Sequence, residues 1–110
     1  MGNVYNKLVR DNIPNIIRSN GEVPVTRILN EEEYKKELEK KLYEEYNEVL
    51  EASGKDRIEE LADMIEVIRY LALLEGSDLD SVIRVAYEKS VKRGAFNDRI
   101  FLEKVLDEER

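Results

Sequence analysis

Between residues 31 and 93 apolar side chains recur every three or four positions, the period of an amphipathic helix. Gly54, Gly76 and Gly94 interrupt that pattern and predict three helices, because glycine commonly follows a helix end. Asn30 precedes the first, with Glu33 three residues on in capping-box spacing, and Glu31 and Glu32 suit the positive end of the helix dipole. This helix is expected to run to about Ser53. Asp56 is expected to open the second, with Glu59 three residues later, and the second runs to about Glu75. Ser77 or Asp78 caps a third, which ends near Arg93.

The flanks are less regular. Residues 5–10 read as extended, and Asp11 is expected to cap a short helix with Pro14 in its first turn and Gly21 beyond its end. Residues 23–29 alternate weakly, but Pro24 limits pairing, so they predict either a short strand or an extended arm. After Gly94, Ile100, Phe101, Leu102, Val105 and Leu106 predict one more amphipathic segment. The expected fold is all-α. It is an antiparallel helical bundle in one domain, with an arm (1–30), core helices (31–94) and a C-terminal segment (95–110).

Placed at about 100° per residue, Tyr34, Leu38, Leu42 and Val49 form one stripe of the first long helix. Glu45 falls inside that stripe, about 20° from Leu38, and Glu48 lies at its edge. A charge within an apolar stripe is costly unless it is paired or bound to a metal. The second helix is apolar on two sides. Ile58, Leu61, Ile65, Ile68 and Ala72 form one, and Met64, Val67, Leu71 and Leu74 form the other. Glu60 sits within the latter stripe and Asp63 beside it. A helix of this kind is central, or shared with a partner subunit. The third helix is expected to turn Leu79, Val82, Ile83 and Ala86 inward, with Lys89 and Arg93 near the same side.

Composition narrows the chemistry. The 110 residues carry 18 Lys and Arg against 25 Asp and Glu, a net charge of −7. That excludes a general DNA, RNA or membrane-surface binder and leaves room for a small anion in a local basic pocket. With no cysteine and no histidine, thiolate and Ser-His-Asp nucleophiles and ordinary zinc sites are excluded, and a di-iron site is weakly supported. The longest apolar run, residues 70–74, is too short to cross a bilayer. No signal-peptide hydrophobic region is seen, and the expectation is a soluble, cytoplasmic protein.

Glu45 with Glu48, and Glu60 with Asp63, are spaced three apart, so each pair is adjacent on its helix surface. Single pairs of this kind usually sit on solvated faces, which is the reading for Glu33 with Glu37, for Glu66, and for Glu103 with Asp107. Two pairs on apolar stripes of consecutive helices instead form a hard-oxygen site suited to Mg²⁺, or Mn²⁺. Glu44 is placed to orient or deprotonate a water. Lys89 and Arg93, with Lys7 and Arg10 from the arm, are candidate phosphate partners. Tyr43, Tyr46 and Tyr70 read as packing residues.

Glu44-Glu45-x-x-Glu48, followed after eleven residues by Glu60-x-x-Asp63, resembles the EExxE…ExxD signature of the MazG-like all-α nucleoside triphosphate pyrophosphohydrolases. The opening YNKLVRDNIP (residues 5–14) and the later KRGAF (92–96) resemble a phosphoribosyl-ATP pyrophosphohydrolase-like subfamily. The resemblance implies a homodimer or homotetramer and Mg²⁺-dependent hydrolysis of a nucleoside triphosphate to a monophosphate and pyrophosphate, as in nucleotide-pool cleansing. It makes Glu45, Glu48, Glu60 and Asp63 metal ligands and Glu44 the residue that activates water or binds a second metal. It sets Lys89 and Arg93 at the phosphates, with Lys7 and Arg10 as weaker candidates. Phosphoribosyl-ATP hydrolysis in histidine biosynthesis and a non-catalytic binding module remain the alternatives.

Overall fold

The computed structural model describes residues 2–108 and is all-helical. Its elements are α1 (Ile13–Ser19), α2 (Glu31–Glu51), α3 (Gly54–Leu74) and α4 (Leu79–Arg93). The chain divides into two compact units, Met1–Leu79 and Asp80–Arg110.

In the first unit α2 and α3 pack against each other as an antiparallel hairpin, each about 30 Å long. The capping box at the start of α2 is present: Asn30 Oδ1 accepts from the Glu33 backbone N–H at 2.9 Å, and Glu33 accepts in return from Asn30. The turn departs from expectation. α2 stops at Glu51, and α3 begins at Gly54, before Asp56, which lies in its first turn. Ala52 and Ser53 are extended, and Gly54 reverses the chain at φ +57°, a conformation that needs no Cβ. Arg57 Nε then donates to the carbonyls of Val49 and Ala52, both at 3.1 Å, satisfying acceptors that the end of α2 leaves open. At the other end of α3, Gly76 (φ +76°) completes a Schellman closure: its N–H reaches the Leu73 carbonyl, and that of Ser77 reaches Ala72.

Leu38, Val67 and Ala72 are buried between these helices. Of the two apolar sides of α3, one has Met64, Val67 and Leu71 covered and Leu74 exposed; the other has Ala72 buried and Ile68 half-buried, and leaves Ile58, Leu61 and Ile65 exposed.

The arm and the tail bring corrections. The cap position of α1 is held by Asn12, not Asp11. Its side-chain oxygen accepts from the Asn15 amide instead of a backbone N–H. No strand occurs among the described residues. Residues 22–30 carry no regular element and no ladder partner, and Val23, Val25 and Ile28 are exposed. The tail carries no regular element in 99–108, and Ile100, Phe101, Leu102, Val105 and Leu106 are exposed: nothing there is buried to offset the entropy of ordering a helix. In the second unit, Val82, Ile83 and Ala86 of α4 are exposed where inward positions were expected.

Candidate active site

The middle of the hairpin holds the acidic residues. Glu45 points from the covered stripe of α2, and Glu60 and Asp63 from the covered side of α3. One oxygen from each of these three carboxylates lies within 4.8 Å of the others. Glu48 is exposed, at the edge of the group rather than in its centre, yet its carboxylate acts on both Glu45 and Glu60.

Glu45 is 5% exposed, the one charged residue that is buried among the described residues. Its Oε2, and that of Glu60, are buried without a hydrogen-bond partner. Lys41 Nζ stands 4.0 Å from Glu45 Oε1 and 3.7 Å from Glu44 Oε2, too far for a strong bond to either. Burial first, then the Glu48 carboxylate and the Asp63 charge, push the Glu45 carboxyl up to about 7, against the pull of Lys41. Glu60 is raised as well, first through a hydrogen bond with Glu48, then by burial and by the charges of Glu48 and Asp63. Like charges are thus concentrated where ordinary packing would exclude them.

The donor chemistry fits a hard divalent cation. Octahedral Mg²⁺ sets neighbouring oxygens about 3 Å apart and opposite ones about 4 Å apart. Three carboxylates within 4.8 Å are near enough to be drawn onto one ion, and two of them, Glu45 and Glu60, carry a buried oxygen without a partner.

Beside the cluster lies a cavity of about 390 Å³, with Glu45 and Asp63 on its wall. The arm closes its other side with Lys7, Arg10 and Asp11. Arg10 Nη2 donates to Asp63 Oδ1 at 2.7 Å, and Lys7 Nζ is 4.0 Å from Glu44 Oε1. The structure therefore brings Lys7, Arg10, Glu44, Glu45, Glu60 and Asp63 into one neighbourhood. Lys89 and Arg93 are exposed residues of α4, in the second unit.

Four polar residues of the cavity wall, Lys41, Tyr34, Tyr70 and Glu66, are not singled out by the sequence pattern. Lys41 lies one turn before Glu45 on the same side, a spacing that would have found it. Tyr34 and Tyr70 both line the cavity, and burial together with Tyr70 and Asp11 raises the Tyr34 phenol. Glu66, expected at the solvated surface, is half-buried, lines the cavity and pairs with Arg69 at 3.2 Å.

No family model and no solved structure matches the chain. It is 46% identical over 50 residues to a Mycolicibacterium smegmatis (strain ATCC 700084 / mc(2)155) protein described as uncharacterized, an alignment covering 46% of this chain and 51% of that one. The chain thus spans about half the length of the curated relative it matches.

Proposed function

We propose that this protein is a MazG-like hydrolase that converts a nucleoside triphosphate and water to a nucleoside monophosphate and pyrophosphate with Mg²⁺, in nucleotide-pool cleansing. The observation that carries this reading is Glu45: a buried carboxylate with an unpartnered oxygen, converging with Glu60 and Asp63 at the mouth of a cavity that also holds Lys7 and Arg10.

Glu45, Glu60 and Asp63 would hold the ion, with Glu48 in reserve at the edge. Bound there, Mg²⁺ supplies charge neutralisation at phosphate oxygens and a lowered pKa for water. The chain's own residues do the rest. Lys7 and Arg10 hold the triphosphate against the cavity wall. Glu44, close to Lys7 and Lys41, orients the attacking water and accepts its proton. The new bond forms between water oxygen and the α-phosphorus, and the bond from that phosphorus to the pyrophosphate oxygen breaks. The phosphate role of Lys89 and Arg93 rests on the motif match.

The exposed side of α3, with Ile58, Leu61 and Ile65, supports a homodimer or homotetramer. No helix among the described residues is long and apolar enough to cross a membrane, which agrees with the proposed cytoplasmic site of action.

The decisive experiment is pyrophosphate release across a panel of nucleoside triphosphates and phosphoribosyl-ATP, with Mg²⁺ and with EDTA. Metal-dependent release from at least one nucleoside triphosphate is expected. Release from phosphoribosyl-ATP alone would move the assignment to histidine biosynthesis. No release from any substrate, together with a melting temperature indifferent to Mg²⁺ and EDTA, would sink the enzyme reading.

A further inference from the structure

We propose that Arg10 is the resident counter-cation of the carboxylate cluster: it neutralises Asp63 while no divalent ion is bound, and is released from Asp63 towards the phosphates when one binds. This rests on the metal-site reading above. The observation behind it is that the cation contacting Asp63 comes from 53 residues away, on a segment without regular structure.

Charge explains the exchange. A guanidinium cannot lose its proton, so Arg10 carries its charge in every state. A divalent ion on Glu45, Glu60 and Asp63 would set a second positive charge against it at short range. Asp63 would then be partnered, and Arg10 would be repelled from the position it holds at 2.7 Å. Arg10 also lines the cavity, so phosphate oxygens there lie within its reach.

The present contact is of the strength such an exchange requires. The Arg10 and Asp63 side chains are 56% and 44% exposed, and exposed pairs are weak. The arm itself is lightly held. Asn6 turns it at φ +45°, Val4 and Tyr5 are exposed, and only Leu8 and Val9 between Lys7 and Arg10 are half-buried. Moving the Arg10 side chain disturbs no packed core. Free protein would therefore hold the arm through Asp63, the metal-bound protein would loosen it, and metal with nucleotide would dock it again.

The test uses Mn²⁺ titration calorimetry without nucleotide, together with hydrogen exchange of residues 7–12. Arg10→Gln should tighten Mn²⁺ binding about two- to fivefold, the range an exposed ion pair supports. Lys7→Gln, whose cation faces Glu44, should change it less. In the unmodified protein, exchange of residues 7–12 should rise with Mn²⁺ and fall again with Mn²⁺ plus a non-hydrolysable triphosphate. Mn²⁺ binding that is unchanged or weaker in Arg10→Gln, equal tightening in Lys7→Gln, or an arm whose exchange ignores bound Mn²⁺ would overturn the proposal and leave the metal site standing. Failure of the unmodified protein to bind Mn²⁺ would remove the metal site itself, and this inference with it.

Discussion

α2 carries two acid-rich regions that a composition profile would score alike. At its first turn, Glu31, Glu32 and Glu33 face water beside the positive end of the helix. Glu33 also closes the capping box and pairs with Arg27 at 3.0 Å, so its carboxyl is held below the usual range, mainly by the Arg27 hydrogen bond. Two turns further on from Leu38, Glu45 is buried among other carboxylates, and its carboxyl is pushed up to about 7. The same chemical group stabilises one region and burdens the other. What differs is whether positive partners and water reach it.

The largest expected effect tests the burdened region. Glu45→Gln and Asp63→Asn should each lower pyrophosphate release by at least about 100-fold. At pH 8 the melting temperature of Glu45→Gln should rise, since it removes a like charge from the cluster, and that of Asp63→Asn should hold, since the Arg10 pair it also loses is exposed and weak. Glu31→Gln should leave both measurements near wild type. Unfolding of the first two variants would make the cluster a structural device instead.

Next comes pH. Folded Glu45 keeps its proton up to about pH 7, whereas the unfolded chain releases it near the ordinary value of 4.5. Between those values the folded state binds more protons, so its stability falls as pH rises. The contribution is full below about pH 4.5 and lost as pH passes 7. Metal-free protein should therefore lose on the order of 2 kcal/mol between pH 5 and 8 through this group, and Glu45→Gln should flatten that slope in denaturant titrations.

Mg²⁺ should act in the opposite sense. At ten times its dissociation constant it should stabilise the protein by about 1.4 kcal/mol at pH 8, and EDTA should reverse the shift. At pH 5, where Glu45 holds its proton, the same concentration should achieve less; an equal shift at both pH values would count against binding at Glu45.

The smallest effect belongs to the other region. Asn30→Ala removes the acceptor for the Glu33 N–H and should cost about 1 kcal/mol, with turnover unchanged at temperatures where the variant is folded. A loss of turnover there would mean that the two regions are mechanically linked.

Much of this was legible locally. The cap at Asn30, the end at Gly76 and the intrusion of Glu45 into an apolar stripe depend on residues within a few positions of each other. Spacing and angle expose them. α2 ends two residues before Ser53, and Arg57, eight residues past Val49, supplies its open carbonyls with a donor that no local rule anticipates. The tail was misread because apolar periodicity states a need for cover without supplying it.

The order of residues alone settled that this is a helical chain with acids on apolar stripes, because helix period and capping are short-range properties of the backbone. It left open which apolar side of α3 would meet α2, and hence which carboxylates would share a point. Packing of Leu38 and Val67 decided that, selecting Glu45, Glu60 and Asp63 and leaving Glu48 at the rim. Nor does any sequence spacing announce that Arg10 would reach Asp63. Contacts between distant segments depend on how surfaces fit, and side-chain packing acts only once the chain has closed on itself.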